Sequence, residues 1–358
     1  MGLKRIDIML PDQLISVIIP TYNRSSLISD AIQSVLNQSH RNIEIIVVDD
    51  GSTDNTKTVV DSFKGAARYI VTDHRGPAHA RNAGMRAAAG EYIAFLDSDD
   101  TYRPDKLALQ LSFMEKHPEV GMVYTEFSAA TVNGLFEEYH LRTFHGVYDR
   151  KGWSYEDLFP TREEFIYEAI KPVPCYIGDI FQYALMDPLI PSPTIMFRKE
   201  ILEKVGYQNE SYHFAEEYEF IVRICKYFKV AFLNIPTYVY RYHEGQMSKA
   251  NQPLTKEKKL TEVEIQKVIL QAVLDWGHGD KAYYAQNDDW LNPRLAELYH
   301  SLGEKWLEYG NAREARECFR KGLAFDPQWG KNRQYWYLSF FPSSMRRVFW
   351  GLSRRMRT

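Results

Sequence analysis

Three aspartates directly follow an apolar run in residues 93–100, whose sequence is IAFLDSDD. An aliphatic run of this kind is typical of a buried strand, so Asp97, Asp99 and Asp100 would emerge together at one strand end. Clustered carboxylates repel one another unless a cation lies among them, and their hard oxygen ligands suit Mg²⁺ or Mn²⁺, which in turn bind phosphates. An acidic turn that only caps the next helix explains the same residues, because aspartate is common in turns and at helix starts.

Strands and helices alternate ahead of these aspartates. Apolar runs predict buried strands at 16–20, 44–50 and 67–72, and helical segments follow them. This alternation predicts an α/β fold with a mainly parallel sheet flanked by helices, in which ligands bind beyond the carboxyl ends of the strands. The residues that fall at this edge are Pro20, Thr21, Tyr22, Asp49, Asp50, Asp97, Ser98 and Asp99.

The side chains at this edge suit a nucleotide diphosphate. An Asp or Thr side chain can pair with a base edge, Tyr22 can stack on a ring, and a D-x-D sequence can hold a divalent cation against a diphosphate. For Asp50, which precedes Gly51, the capping of a turn is the alternative. Neither a Walker-type glycine loop nor G-x-G-x-x-G follows the first strand, which argues against P-loop and dinucleotide-binding folds.

Three motifs occur in order within residues 14–127: SVIIPTYNR, EIIVVDDGSTDNT, and ARNAG…GEYIAFLDSDD with YRPDKL behind it. Their sequence and spacing resemble the nucleotide-sugar-binding half of the family 2 inverting glycosyltransferases. These enzymes have the Rossmann-like GT-A fold and use a sugar donor, here a UDP-sugar by preference. The resemblance implies that Pro20, Thr21 and Tyr22 border the nucleoside and that Asp50 faces the base.

The same resemblance implies the positions of the metal and the diphosphate. Asp97, followed by Ser98, would lie on the ribose or metal side, and Asp99 would be the main ligand of Mn²⁺ or Mg²⁺. Arg81 would approach the diphosphate, although an arginine on a helix is more often solvated or paired with an acid. Arg241 and His243 lie in a polar segment that the family often directs towards the diphosphate, so both are further phosphate candidates. A histidine in such a position is more often a surface or hydrogen-bonded residue than a ligand.

The acidic run at 216–220, EEYEF, resembles the family's acidic pair at a helix start. By position Glu217 matches the catalytic base, with Glu where the family mostly has Asp, and Glu216 is the alternative. An inverting transfer needs a carboxylate that takes the proton of the attacking hydroxyl. Acids also enrich the first turns of helices without any chemistry.

The resemblance and the composition together predict three regions. A glycosyltransferase domain at 14–249 would comprise the donor half at 14–127, an aromatic-rich insertion or acceptor region at 128–190 and the acceptor and base half at 191–249. A helical appendage at 250–332 would contain one tetratricopeptide-like unit at 296–327. The tail at 333–358 interleaves aromatics with arginines, which suits a peripheral membrane contact, with a protein interface or an exposed basic tail as alternatives.

The 358 residues carry a net charge of −3, which leaves no global basic field for nucleic acid. Three widely separated cysteines indicate reduced thiols and a cytoplasmic setting. A membrane contact through the tail would place the protein at the inner face of the cell membrane. The expected activity is metal-dependent inverting transfer of a sugar from a UDP-sugar to a hydroxyl of a glycan or lipid-linked acceptor of the cell envelope. The alternative is a scaffold in which a degenerate transferase domain only binds nucleotide or glycan.

Overall fold

The computed structural model describes residues 13–131, 133–167, 171–243, 246 and 255–341. The chain forms two compact units, Met1–Lys249 and Ala250–Thr358. The finer subdivision predicted within the first unit stays a prediction.

One mixed sheet runs through the first unit. Within the described residues its strands are β1 (Ile15–Thr21), β2 (Ile43–Asp49), β3 (Arg68–Val71), β4 (Tyr92–Phe95), β5 (Thr101–Tyr102), β6 (Val120–Thr131), β7 (Gly134–Glu137), β8 (Thr161–Phe165), β9 (Val173–Gly178), β10 (Met196–Arg198) and β11 (Lys229–Arg241). The order across the sheet is β3-β2-β1-β4-β10-β6-β11-β9-β8, with β5 beside β11 and β7 beside β6. The predicted α/β class is confirmed, but only the β3-β2-β1-β4 part and the β6–β11 pair are parallel.

The helices of the first unit lie among these strands. They are α1 (Ile28–Leu36), α2 (Thr56–Asp61), α3 (Pro77–Ala87), α4 (Lys106–Lys116), α5 (Leu141–His145), α6 (Val147–Lys151), α7 (Tyr155–Leu158), α8 (Phe181–Met186), α9 (Leu202–Val205) and α10 (Glu216–Tyr227), with 3₁₀ turns at Ser192–Thr194 and Lys199–Ile201. In α1 the residues at helical spacing, Ile28, Ala31, Ile32 and Val35, are buried. Their burial is what the apolar periodicity predicts for an amphipathic helix.

The three central strands end at a common edge. In the parallel pairs, Thr21 lies opposite Asp49, and Ile18 lies opposite Phe95. Helix α3 lies close to this part of the sheet because it has a glycine there: a Cβ on Gly84 would stand 2.4 Å from Cγ2 of Ile18. The close approach holds α3, and with it the ARN sequence, against the strands whose ends carry the polar residues.

The segment predicted to be an ordered insertion extends the sheet. Strand β9 pairs antiparallel with β11, and β8 pairs antiparallel with β9, so this part of residues 128–190 adds strands as well as the short helices α5 to α8. The last strand of the sheet, β11, is long and continuous from Lys229 to Arg241. Its register shifts on either side of Pro236, because proline has no N–H to donate to the ladder.

The described part of the second unit is helical. It contains α11 (Lys256–Ala272), a π-helical turn at Val273–His278, α12 (Lys281–Tyr309), α13 (Ala312–Phe325) and α14 (Gly330–Leu338). A core of Leu307, Ala315, Phe319 and Tyr335 joins the last three helices. Likeness to a tetratricopeptide unit stays a prediction. No helix of the described residues is long and apolar enough to cross a membrane, and residues 342–358 of the predicted tail lie outside that part of the chain.

Candidate active site

Asp97 is joined to the neighbouring helix by an ion pair. Nη2 of Arg81, on α3, donates to Oδ1 of Asp97 at 3.0 Å, and about a third of the Asp97 side chain is exposed. The pKa of Asp97 is raised by partial burial, with Asp99 and Glu217 adding to the rise and the Arg81 charge opposing it. The first acid of the D-x-D sequence is therefore accessible at the crevice and electrostatically coupled to the residues around it.

Asp99 lies beside a histidine from the end of the domain. Nε2 of His243 is 3.1 Å from Oδ2 of Asp99, and Nε of Arg24 is 3.5 Å from the same oxygen. The structure thus brings together two residues that the sequence predicted separately, 144 positions apart. Arg24 was not among the predicted site residues, although it lies in the PTYNR motif. Ser98, between the two acids, is buried.

Asp100 and Arg241 stabilise the turn after β4. The buried Asp100 accepts the backbone N–H of Arg241 at 2.8 Å, and Nε of Arg241 donates to the carbonyl of Asp99 at 2.5 Å. Nη1 of Arg241 also lies 2.6 Å from Oδ2 of Asp30. Burial and the charges of Asp99 and Asp97 raise the pKa of Asp100 well above its usual range. Arg241 therefore ties the end of β11 to the D-x-D turn, and its phosphate contact stays a prediction.

The predicted nucleoside end contains a stacked pair of rings. Tyr22, 40% exposed, stacks on His74 with ring centroids 4.2 Å apart. The backbone carbonyl of Thr21 accepts the N–H of Asp50 at 2.9 Å, while the buried Oγ1 of Thr21 has no hydrogen-bond partner among the described residues. Pro20, half-buried, precedes them on β1. A polar atom without a partner at this edge leaves hydrogen-bonding capacity for a ligand.

Asp50 holds the loop that follows β3. Its Oδ1 accepts from the hydroxyl of Thr72 at 2.8 Å and from the N–H of Arg75 at 2.9 Å, and its Oδ2 accepts from the N–H of Gly76 at 2.7 Å. Gly76 has a φ of +97°, which glycine adopts without a steric cost. These contacts differ from the turn capping weighed as the alternative for Asp50, since in the turn after β2 it is Asp49 that accepts the N–H of Ser52 at 2.7 Å. A contact of Asp50 with the base stays a prediction.

The two acids predicted for catalysis begin helix α10. Nη1 of Arg81 donates to Oε1 of the buried Glu216 at 2.8 Å. Burial and the charge of the neighbouring Glu216 raise the pKa of Glu217 to about 7, and the positive charge of Arg81 opposes part of this rise. The two adjacent carboxylates therefore have different surroundings. Glu216 forms an ion pair with Arg81, whereas Glu217 has a pKa at which a carboxyl group can accept or release a proton near neutral pH.

Arg81 connects the two halves of the site. Its guanidinium contacts both Asp97, in the turn that follows β4, and Glu216, in the first turn of α10. The predicted approach of Arg81 to a diphosphate stays a prediction, since the described contacts engage it with acids. The sequence offered the ion-paired alternative but could not name the partner 135 positions away.

Glu210 is a cluster centre that the sequence did not indicate. It accepts from Nδ2 of Asn82 at 2.9 Å, lies 2.8 Å from Nδ1 of His79, and pairs with Arg75 and Arg86 at 3.1 and 3.3 Å. Hydrogen bonds from Asn82 and His79 lower the pKa of Glu210 to about 2. Glu210 therefore fastens the segment before α10 to α3. Its only sequence signal was a polar loop, which does not specify long-range partners.

Among the described residues, no group of three or more His, Cys, Asp or Glu side chains is arranged to hold a metal ion. The oxygen donors at the D-x-D turn are the carboxylates of Asp97 and Asp99, and the imidazole of His243 lies beside Asp99. Carboxylates suit Mg²⁺ and Mn²⁺, and Mg²⁺ is commonly bound by one or two carboxylates together with substrate phosphates. The two carboxylates therefore fit a divalent ion whose remaining ligands would be oxygen atoms of a bound diphosphate.

Comparisons with known proteins agree with this architecture. The family model described as Glycosyl transferase family 2 matches residues 16–206, more than half of the chain. The Escherichia coli protein UDP-Glc:alpha-D-GlcNAc-diphosphoundecaprenol beta-1,3-glucosyltransferase WfgD is 38% identical over 128 residues, 35% of this chain and 50% of WfgD. Five curated relatives with 38–48% identity are matched over 16–50% of their own length, so the chain spans half or less of each.

Solved structures show a shared fold over nearly the whole chain. S. aureus TarS 1-349 in complex with UDP-GlcNAc superposes with a TM-score of 0.57 at 17% identity, covering 93% of this chain and 91% of TarS 1-349. The mannosyltransferase PcManGT from Pyrobaculum calidifontis, in complex with GDP-Man and Mn²⁺, has a TM-score of 0.51 at 17% identity and coverages of 91% and 83%. The predicted GT-A fold with a C-terminal helical region is confirmed.

Proposed function

The chain belongs to glycosyl transferase family 2, and we propose that it is a metal-dependent inverting enzyme that transfers a hexose from a UDP-sugar. The observation that carries the proposal is the linked set of acids: Asp97 of the D-x-D sequence and Glu216 of the acidic pair share one guanidinium, that of Arg81. Donor-side and base-side groups are thereby held within one crevice, as a displacement with one nucleophile and one leaving group requires.

Glu217 acts as the general base. A carboxylate with a pKa of about 7 is half ionised at neutral pH and can accept the proton of an acceptor hydroxyl as that oxygen attacks the sugar carbon. Attack from the face opposite the diphosphate inverts the anomeric centre and needs no covalent enzyme intermediate. Glu216, held by Arg81, positions the first turn of α10 rather than taking the proton itself.

Asp99 and Asp97 would hold the metal together with the diphosphate of the donor, His243 would approach that diphosphate, and Thr21 and Tyr22 would border the nucleoside. Bound Mn²⁺ or Mg²⁺ supplies positive charge that stabilises the departing diphosphate. The two carboxylates at the D-x-D turn, of which Asp97 is about a third exposed, and the unpartnered Oγ1 of Thr21 support this assignment. The UDP-GlcNAc complex of TarS and the Mn²⁺ complex of PcManGT support the choice of a nucleotide-sugar donor and of a divalent ion.

The acceptor is a hydroxyl of a lipid-linked glycan in cell-envelope polysaccharide synthesis, at the cytoplasmic face of the membrane. The support is the name of WfgD, which specifies a diphosphoundecaprenol-linked sugar. A peripheral membrane contact through the C-terminal region fits such an acceptor, because the enzyme must meet a substrate whose lipid stays in the bilayer.

Calorimetric titration with UDP and with GDP, each with Mn²⁺ and with a chelator, tests the donor side without the acceptor. Binding of UDP that requires Mn²⁺, followed by slow hydrolysis of one UDP-sugar in a donor screen, is the expected result. If neither nucleotide binds, with Mn²⁺ or with the chelator, the proposal is overturned and the scaffold alternative is favoured. Binding without any donor turnover would restrict the chain to nucleotide recognition.

A further inference from the structure

The C-terminal region has a charge opposite to that of the rest of the chain. Residues 311–358 contain eleven Lys and Arg against three Asp and Glu, a net charge of +8, whereas the whole chain carries −3. Residues 1–310 are therefore strongly acidic, at −11. Positive charge concentrated in one part of the sequence favours contact of that part, and not of the acidic remainder, with a polyanion.

The described part of this region places arginines on one face of α13. Arg313, Arg316 and Arg320 follow one another at intervals of three and four residues, which puts them on the same side of a helix. With Glu314, Glu317 and Trp336 of α14 they line a cavity of about 340 Å³. Arg320 pairs with Glu317 at 2.7 Å, so this acid offsets part of the positive charge of the face.

Exposed aromatic rings lie at the end of α14 and directly after it, and one of them contacts an arginine of α13. Tyr337, Phe340 and Phe341 are 57%, 59% and 44% exposed. The guanidinium of Arg316 stacks over the ring of Phe340 at 4.9 Å, and Nη1 of Arg316 donates to the carbonyl of Ser339 at 3.0 Å. These contacts hold the end of α14 against α13, so that the exposed ring of Phe340 lies beside the arginine face of α13.

We propose that this surface, Arg313, Arg316 and Arg320 with Tyr337, Phe340 and Phe341, docks the protein on an anionic lipid bilayer. Aromatic rings enter the headgroup region, and arginines bind the phosphates of anionic lipids. The sequence of residues 342–358 adds five arginines with Phe349 and Trp350 and no acid, which is the same chemistry. The choice of a bilayer over another polyanion rests on the lipid-linked acceptor proposed above.

Co-sedimentation of the full chain with vesicles tests the proposal. Vesicles of phosphatidylcholine alone are compared with vesicles that contain phosphatidylglycerol, at low and high salt. We expect binding to the anionic vesicles only, with a loss of affinity at high salt. Equal partition to both vesicle types, or none to either, would overturn the proposal, as would a preference for single-stranded RNA or an acidic peptide in competition.

Paired variants assign the binding to this surface. The double variant Arg313→Gln/Arg320→Gln removes two charges and is expected to weaken anionic vesicle binding roughly tenfold to thirtyfold. Tyr337→Ser/Phe341→Ser is expected to weaken it as well, with less dependence on salt. The control Lys171→Gln/Lys281→Gln makes the same charge change at two exposed lysines elsewhere and should bind like the parent.

Circular dichroism of each variant checks that the helices are intact. Mn²⁺-dependent UDP binding is measured on the same samples, so that failure of the membrane docking can be distinguished from failure of the proposed donor site. Loss of vesicle binding with UDP binding unchanged supports the docking surface. Parent-like vesicle binding by both surface variants would overturn it, whatever the outcome for UDP.

Discussion

Nη1 of Arg81 lies 2.8 Å from Oε1 of Glu216, an ion pair in which both side chains are buried. Because Nη2 of Arg81 binds Asp97, this one residue connects the D-x-D turn to the helix that begins with the acidic pair. The removal of one partner from a buried ion pair leaves an uncompensated charge, at a cost of about 3–5 kcal/mol. Arg81 is therefore expected to matter both for stability and for the proton affinity of the acids beside it.

Arg81→Gln is predicted to move the pH dependence of donor hydrolysis to higher pH. The charge of Arg81 lowers the pKa of Glu217, so its loss should raise that pKa above about 7 and leave less ionised base at neutral pH. The rate at pH 7 should fall and partly recover at pH 9. Arg81→Lys, which keeps the charge but cannot contact both acids equally, serves as the control with a smaller shift. A pH profile that is unchanged in Arg81→Gln would contradict the electrostatic role.

Glu217→Gln is predicted to reduce turnover by about 10²–10⁴-fold, which is the usual contribution of a general base. In the parent the rate should rise with pH through about 7, since the base acts in its ionised form. The variant should lose this rise. Glu216→Gln is the matched comparison, and we expect it to lower stability more than turnover. Retention of turnover within a few-fold by Glu217→Gln would refute the assignment.

Glu217 should also reduce stability at high pH. Its folded pKa is about 7, above the ordinary value of 4.5, so the folded state binds the proton more tightly than the unfolded state. The stability that this provides is complete below pH 4.5 and is lost as the pH rises through 7. At pH 8 the free energy of unfolding of Glu217→Gln should therefore be about 1–3 kcal/mol higher than that of the parent, and the difference should be smaller at pH 4. Parallel stability curves at the two pH values would disprove this expectation.

Asp99→Asn is predicted to abolish the effect of Mn²⁺ on UDP affinity. The amide has no charge for the ion, and His243 would lose the carboxylate 3.1 Å away. We expect the affinity for UDP in the presence of Mn²⁺ to fall by more than roughly a hundredfold. This exceeds the effect of removing a residue that only supports a metal ligand. Asp105→Asn makes the same change at an exposed aspartate six positions later, and calorimetry should find it like the parent. Mn²⁺-dependent affinity that persists in Asp99→Asn would exclude Asp99 as the main ligand.

Glu210→Gln tests the cluster that fastens the segment before α10. The pKa of Glu210 is lowered to about 2 by its partners, so its stabilising effect is present above pH 4.5 and is lost as the pH falls through 2. At pH 7 the variant should lose about 1–3 kcal/mol of unfolding free energy, as hydrogen bonds to a charged group do. Denaturant titrations of parent and variant should converge near pH 2. Glu203→Gln, on the exposed side of the preceding helix, should show no such loss, and an equal loss there would contradict the role of the cluster.

The parts of the site that sequence predicts are those defined by local patterns. Apolar runs that stop at polar residues located the strand ends at Thr21 and Asp97, and the sheet brings those ends together. The contacts of Arg81 with Glu216 and of Glu210 with α3 join residues more than a hundred positions apart, and no periodicity encodes them. The antiparallel extension by β8 and β9 escaped prediction for the same reason, since strand pairing is decided by distant partners.

The second unit offers a packing test that is independent of the active site. A Cβ on Gly303 of α12 would lie 2.4 Å from Cε1 of Phe319 on α13, so the two helices approach closely only because this residue is glycine. Gly303→Ala should destabilise the unit by about 1–3 kcal/mol through overpacking, despite the better helix propensity of alanine. Gly330→Ala, where nothing lies within 4 Å of the added Cβ, is the control and should be neutral or slightly stabilising. Thermal unfolding followed by circular dichroism distinguishes them, and equal effects would mean that the contact with Phe319 yields without cost.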